Sequence, residues 1–268
     1  MVEKNNKTDV VANEQLLRQL LVEEKIESFR EYFLEIHPYD RAQFYERIGA
    51  EQRQILYRFL SPGEMADVFE AIDLEDDEYE EYLSEMDTSY VAAMLGFMYT
   101  DDAVDVLNEL DEDQRESYLE MMDTETVQEI NELLAYPEYT AGAIMTTEYV
   151  SITELSTVRS AMAVLRKKAP DAETIYYLFV VNDMHQLTGV LSLRDLIISD
   201  EDCLVRDIMS ERVVSVNVSE DQEAVAHIIK DYNFLAIPVI SDEKELLGII
   251  TVDDIIDVID EEAEDDYS

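Results

Sequence analysis

The sequence predicts an all-helical, solenoid-like superhelix followed by two consecutive copies of one α/β unit. Two observations carry that expectation. The first half holds capped amphipathic stretches that are each too short to stand alone, and the second half writes one pattern twice. A third observation bears on partners: among 268 residues, 64 acidic side chains face 19 basic ones, for a formal net charge of -45. Nucleic acid and anionic membrane surfaces need a basic footprint, so cations are the natural partner of this chain.

Residues Met1 to Ala12 are polar and expected to fray. From about Asn13 the chain reads as helix, with Leu16, Leu17, Leu20 and Leu21 forming an apolar stripe. After Pro38 the pattern becomes a series of short helices, with breaks expected at Asp40, Gly49, Ser61-Pro62-Gly63, Asp73 to Asp77, Asp87, Thr100-Asp101, Asp111 and Asp123. Ser61-x-x-Glu64, with Pro62 in the first turn, and Asp111-x-x-Gln114 have the form of capping boxes. Apolar residues follow each cap at i, i+3, i+4, i+7, as in Met65, Val68, Phe69 and Ile72. Such helices gain stability by stacking on neighbours, so the methionines and aromatics here read as core. Pro137 closes this half, giving a helical domain over 1–137.

The repeat begins at Ile144-Met145-Thr146 and again at Ile208-Met209-Ser210. Each copy continues through a helix to an apolar strand, then ends in Gly189-Val190-Leu191-Ser192-Leu193-Arg194-Asp195 or in Gly248-Ile249-Ile250-Thr251-Val252-Asp253-Asp254. The first copy carries extra residues around Ala169 to Tyr177. Glu154 to Lys168 reads as its first helix and Ile175 to Val181 as a buried strand. In the second copy, Ser219-x-x-Gln222 has the form of a capping box. An internal repeat of this kind means two copies of one supersecondary unit, here 138–203 and 204–268.

These residues resemble the CBS module, whose signature is a strand ending Gly-x-x-Ser/Thr-x-x-Asp that turns into a helix, and a tandem pair of these packs as one unit. Ser192 and Asp195, like Thr251 and Asp254, serve as caps on any reading. The resemblance adds a nucleotide-binding role, in which the Asp receives ribose hydroxyls. Arg194 beside Asp195 suits phosphates, whereas Asp253 stands at the matching place in the second copy and repels them by on the order of a few kcal/mol per close pair. One adenine nucleotide, such as ATP, is therefore expected near Ser192, Arg194 and Asp195, with Tyr176, Tyr177 and Phe234 as candidate stacking faces.

From Val252 a final helix carries an apolar stripe of Val252, Ile255, Ile256, Ile259 and Ala263 beside an acidic one of Asp254, Asp257, Glu261 and Asp265. Like charges at i, i+4 oppose each other and acids in the last turn oppose the helix dipole. Either the tail is a solvated charge run or cations hold the face together; Asp101 and Asp105, at i, i+4 in the helical half, favour cations. Carboxylates without Cys or His partners suit Mg²⁺ or Ca²⁺.

Taken together, Asp101-Asp102-x-x-Asp105, Ala141-Gly142-x-Ile144-Met145-Thr146, Ala169 to Tyr177, Ser192 to Leu196 and Thr251 to Asp254 resemble the cytosolic region of the MgtE magnesium transporters. That resemblance implies a homodimer through the CBS pair, a transmembrane pore domain as partner, and a chain end within the connecting, or plug, helix. It also implies regulatory Mg²⁺ ligands at Asp101, Asp105, the Gly142 carbonyl, Asp221, Glu223, Asp254, Asp257, Glu262 and Asp265. Asn233 stands where the family often has an acid.

The function expected is that of a Mg²⁺-sensing regulatory region on the cytoplasmic side of a membrane. Scarce Mg²⁺ leaves acidic faces repelling; plentiful Mg²⁺ compacts the dimer and closes the pore. The alternative is a stand-alone adenine-nucleotide sensor with a helical docking scaffold. Nothing in the sequence assembles a nucleophile, base and orienting group, so an enzyme is not expected, and His37, His185 and His227 carry no functional assignment. Cys203 has no second thiol to pair with, which fits a reducing compartment. No apolar run approaches the roughly 20 residues of a membrane span, so the chain reads as soluble and intracellular.

Overall fold

The computed structural model describes residues 14–72, 74 and 76–265, while the side chains of residues 76, 77, 257 and 260–265 fall outside that description. The chain divides into two compact units. The first comprises Met1–Met98 with Asp102–Gln128, and the second comprises Tyr99–Asp101 with Glu129–Ser268. The polar residues before 14 lie outside the described part.

Short helices run through the helical half: α1 (14–22), α2 (Ile26–Phe33), α3 (Pro38–Arg47), α4 (Ala50–Phe59), α5 (Pro62–Phe69), α6 (Asp76–Ser84), α7 (Thr88–Leu95), α8 (Thr100–Asn108), α9 (Glu112–Leu119) and α10 (Thr124–Leu134). α5 packs on both α3 and α7, and α7 packs on α9, so alternate helices form the ladder of a superhelix. Phe29, Phe33, Phe44, Phe59, Met65 and Met94 fill its core, as the stripes predict. The expected break at Asp40 falls earlier: His37 caps α3 by accepting from the Tyr39 amide, and Pro38 opens the helix because it has no amide to leave unsatisfied. Ser61 and Glu64 form the full capping box, whereas at Asp111 only half forms, since the Gln114 side chain donates to Glu80 instead.

One charged pair sits inside this stack. Arg53 donates to Glu85 through Nε (2.8 Å) and Nη2 (2.5 Å) and to the Ile48 carbonyl through Nη1 (2.8 Å). Its guanidinium lies 4.5 Å from the centre of the Tyr82 ring. The Tyr57 hydroxyl donates to the same carboxylate, and burial drives the Tyr45 and Tyr57 hydroxyls far above the ordinary phenol range.

The second unit contains the repeat. Its elements are α11 (Ala141–Ile144), β1 (Ser151–Thr153), α12 (Val158–Lys168), β2 (Tyr177–Val181), β3 (Leu187–Ser192) and α13 (Leu193–Ile198), then α14 (Val205–Ile208), β4 (Val216–Asn217), α15 (Gln222–Tyr232), β5 (Ala236–Ile240), β6 (Leu246–Thr251) and α16 (Val252–Asp265). Each module is a three-stranded sheet, β1-β2-β3 or β4-β5-β6, with one parallel and one antiparallel pairing in the same order.

The period-two pleat of β2 explains its unbroken apolar run. Leu178 and Val180 enter the core of their own module, with Ile152, Val158, Ala161 and Leu165. Phe179 and Val181 pack against Ala236, Leu246 and Ile249 of the other. The modules also exchange edges: Thr146 pairs with Ile249, and Ser210 with Val190. Gly189 and Gly248 are the points of closest approach, where a Cβ would strike Met209 and Met145 respectively, and Gly248 also lies against the Thr146 carbonyl. This accounts for the repeated pairing of Met with Gly.

Three local expectations are corrected. Glu154 to Ser156 is a turn, and α12 starts only at Val158, capped by Thr157, which accepts from the Ser160 amide. α15 is capped by Asp221, which accepts from the Glu223 and Ala224 amides. Ser219 is drawn away to Asn217, so the expected Ser219-Gln222 box does not form. On α16, Ile255 and Val258 are buried while Ile256 and Ile259 are half exposed, because the helix turns a different edge of its apolar face toward α15.

Removing Glu85 strands the Arg53 guanidinium among aromatic rings, a change that costs about 3–5 kcal/mol for a buried pair. We expect Glu85→Ala to lower the urea midpoint accordingly; a midpoint equal to the parent's overturns this account of the pair.

Candidate functional site

Within the second unit, three carboxylates converge. Asp101, Glu173 and Asp254 each present an oxygen, and these atoms all lie within 4.8 Å of one another. Asp101 is only 4% exposed. Asp254 stands in the first turn of α16, where its Oδ2 accepts from the Thr251 amide (3.2 Å) and hydroxyl (2.6 Å). Glu173 lies between α12 and β2, held by its amide, which donates to the Glu148 carbonyl at 2.9 Å. Its Oε2 is buried without a hydrogen-bond partner.

Burial, with Asp254 as the next contributor, pushes the Glu173 carboxyl up to about 7, and burial also raises that of Asp254. Charges this close and this shielded repel by on the order of a few kcal/mol per pair. A divalent cation relieves that repulsion, and an all-oxygen set suits Mg²⁺ or Ca²⁺ better than zinc or copper.

The structure brings together Asp101 and Asp254, two of the residues singled out in the sequence, and adds Glu173. The signal for Glu173 was the extra length of the first module around Ala169 to Tyr177, which delivers it here. Asp105 is exposed on α8 in the first unit. Gly142 is buried, donates to the Val218 carbonyl at 2.9 Å, and is backed by Tyr136. Thr140 bridges to Asp221 beside it, and exposed Glu223 lies 3.8 Å from His227 on α15. The side chains of Asp257, Glu262 and Asp265 lie outside the described residues. Asn233 adopts a left-handed backbone (φ 56) where α15 ends, a conformation that Asn tolerates well and that gives this departure from the acid a backbone reason.

A second feature is an open cleft of about 590 Å³ in the first module, lined by Tyr176, Ser192, Leu193, Arg194, Asp195, Ile197 and Ile198. The Ser192 hydroxyl accepts from the Asp195 amide, leaving the exposed Asp195 carboxylate and Arg194 at the rim. Tyr177 and Phe234, expected as stacking faces, do not line it. Tyr177 begins β2 on the opposite side of the pleat and packs against the core between the modules, and Phe234 stacks on Tyr232 with ring centres 5.3 Å apart.

The two copies of Gly-x-x-Ser/Thr-x-x-Asp therefore differ in hydrogen bonding. In the first the hydroxyl accepts and the carboxylate is exposed; in the second the carboxylate accepts from the hydroxyl and turns inward.

Residues 36–139 match the MgtE intracellular N domain, and residues 141–201 and 205–261 each match the CBS domain. The magnesium transporter MgtE of Enterococcus faecalis is 54% identical over 253 residues, which is 94% of this chain and 56% of that protein. That of Thermus thermophilus is 37% identical over 253 residues, covering 93% and 56%. The chain spans about half the length of the curated relatives it matches. A crystal structure of the soluble part of a magnesium transporter superposes with TM-score 0.92 at 52% identity, covering 95% of this chain and 99% of that one. The cytosolic domain of the Mg²⁺ channel MgtE in complex with ATP superposes with TM-score 0.83 at 38% identity, covering 90% and 98%. Over nearly its whole length, then, the fold and the sequence agree on one assignment: the chain belongs to the MgtE magnesium transporter family, of which it carries the intracellular N domain and the CBS pair.

Proposed function

We propose that this chain senses Mg²⁺ for a magnesium transporter or channel and regulates its pore. The observation that carries the reading is the convergence of Asp101, Glu173 and Asp254, with a buried oxygen of Glu173 left without a donor. Asp101, Glu173 and Asp254 hold the ion, and further ions sit at Asp105, at the Gly142 carbonyl with Asp221 and Glu223, and along Asp257, Glu262 and Asp265.

Mg²⁺ supplies positive charge without giving up most of its water, so one or two carboxylates per ion suffice and affinity is weak enough to report a high cytosolic concentration. The state with its acids gathered binds the ion better than the state with them apart, and only that difference shifts the population. In the complete protein the gathered state is the compact homodimer and corresponds to a closed pore. The half-exposed Ile256 and Ile259 on α16 offer an apolar face to a second protomer or to the pore domain. Among the described residues, no helix is long and apolar enough to cross a membrane.

An adenine nucleotide, such as ATP, modulates this region from the cleft of the first module. Asp195 takes the ribose hydroxyls, Arg194 the phosphates, and Tyr176 the base. The ATP complex of a relative at 38% identity supports this assignment. A stand-alone nucleotide sensor is the competing reading, and the same cleft favours it.

Two measurements separate these readings. Replacing Asp101, Asp105, Asp254 and Asp257 together by Ala is expected to abolish Mg²⁺-dependent protection from protease, and protection that persists rejects the ligand assignment. If ATP alters protection in the parent chain while Mg²⁺ does not, the stand-alone sensor is the correct reading. Arg194→Ala removes a charge-assisted contact of about 1.5–3 kcal/mol, so calorimetry is expected to show ATP affinity falling roughly 10- to 100-fold with Mg²⁺ affinity unchanged. Equal ATP affinity places the phosphates elsewhere.

A further inference from the structure

The carboxylates of the cluster come from three separate segments, and one residue outside the cluster touches the support of each, twice through its side chain and once through its backbone carbonyl. Glu148 lies between Thr146 and β1. Its Oε1 accepts from the Thr100 amide (3.1 Å) and hydroxyl (2.5 Å), and so fixes the residue immediately before Asp101. Its Oε2 accepts from the Thr146 hydroxyl at 2.7 Å. Thr146 is fully buried and exchanges both backbone hydrogen bonds with Ile249 of β6, the strand whose last residue, Thr251, holds Asp254. The Glu148 carbonyl accepts from the Glu173 amide.

From this geometry we infer that Glu148 is the positioning residue of the Mg²⁺ cluster, setting the separation of Asp101, Glu173 and Asp254 without contributing a ligand. The inference rests on the reading of that cluster as a cation site. Both Glu148 side-chain oxygens are occupied by donors from Thr100 and Thr146, so the carboxylate is spent on holding the frame. The Thr100 amide belongs to the first turn of α8, where the helix offers it no acceptor of its own, and Glu148 supplies one. Partners that orient ligands in this way change metal affinity about 10- to 100-fold when removed.

The test uses the full 268-residue chain, with MgCl₂ titrated by calorimetry and amide exchange followed at Thr100 and Asp101. Glu148→Ala is expected to weaken Mg²⁺ binding at least about 10-fold and to speed exchange at Thr100 in the absence of metal, with saturating Mg²⁺ restoring protection. Glu148→Gln keeps an oxygen for the Thr100 amide and a nitrogen to donate to Thr146, so it is expected to bind within about threefold of the parent, a small fraction of the loss when an orienting partner is removed.

Thr100→Val, which keeps the shape and removes the hydroxyl that donates to Glu148, is expected to fall between the two and serves if the Ala variant does not fold. Parental affinity in Glu148→Ala, or in Thr100→Val if that variant must stand in, overturns the inference. So does a Gln variant as weak as the Ala variant, because the charge itself is then what matters. Asp254→Asn keeps the two failures apart: if it binds Mg²⁺ as the parent does, the cation reading fails first and takes the positioning role with it.

Discussion

Electrostatic crowding is the constraint from which the second unit is best understood. In a chain of net charge -45, carboxylates gain most by pointing apart into water, yet Asp101, Glu173 and Asp254 are drawn together and shielded. Burial alone raises the Glu173 carboxyl, and the neighbouring Asp254 raises it further. Such an arrangement is held by its scaffold: Thr251 fixes Asp254, the Glu148 backbone fixes Glu173, and the Glu148 side chain fixes the start of α8. Each of these contacts resists the repulsion among the gathered carboxylates.

The repeat shows one motif closed by two different sets of hydrogen bonds. Ser192 and Thr251 occupy equivalent corners but bond differently: the Asp195 amide donates to the Ser192 hydroxyl, whereas the Thr251 amide and hydroxyl both donate to the Asp254 carboxylate. Where the hydroxyl accepts, the aspartate is released toward an open cleft beside an arginine. Where the carboxylate accepts, it is drawn inward beside other acids, and the neighbouring position is Asp253 rather than an arginine. These different bonds, with the charge beside them, separate an open cleft that carries an arginine from a shielded group of acids.

Much of this was legible in the residues because local signals agreed with the fold. The Ser61 box and the stripe through Met65 to Ile72 each have one structural solution, and the structure adopts it. Where neighbours compete, the sequence was less informative. Asp221 outcompetes Ser219 as a cap because Asn217 takes the serine hydroxyl, a contact that spacing does not reveal. The edge of α16 that enters the core is set by its packing on α15, not by its own stripe. Glu173 was hidden for a similar reason: an insertion shows where extra chain is, but only the path of that chain through the fold shows which acid it delivers.

The exchange of edges between modules has a consequence for dissecting the protein. Thr146 completes the neighbouring sheet at Ile249, and Ser210 completes the first at Val190, while Phe179 and Val181 find their packing in the opposite copy. Excised alone, the first repeat keeps the face covered by α12 but bares the one that carries Phe179 and Val181, and each copy loses its edge bridge. Boundaries drawn around both copies keep these contacts, whereas boundaries drawn around one leave bare strand edges that invite aggregation.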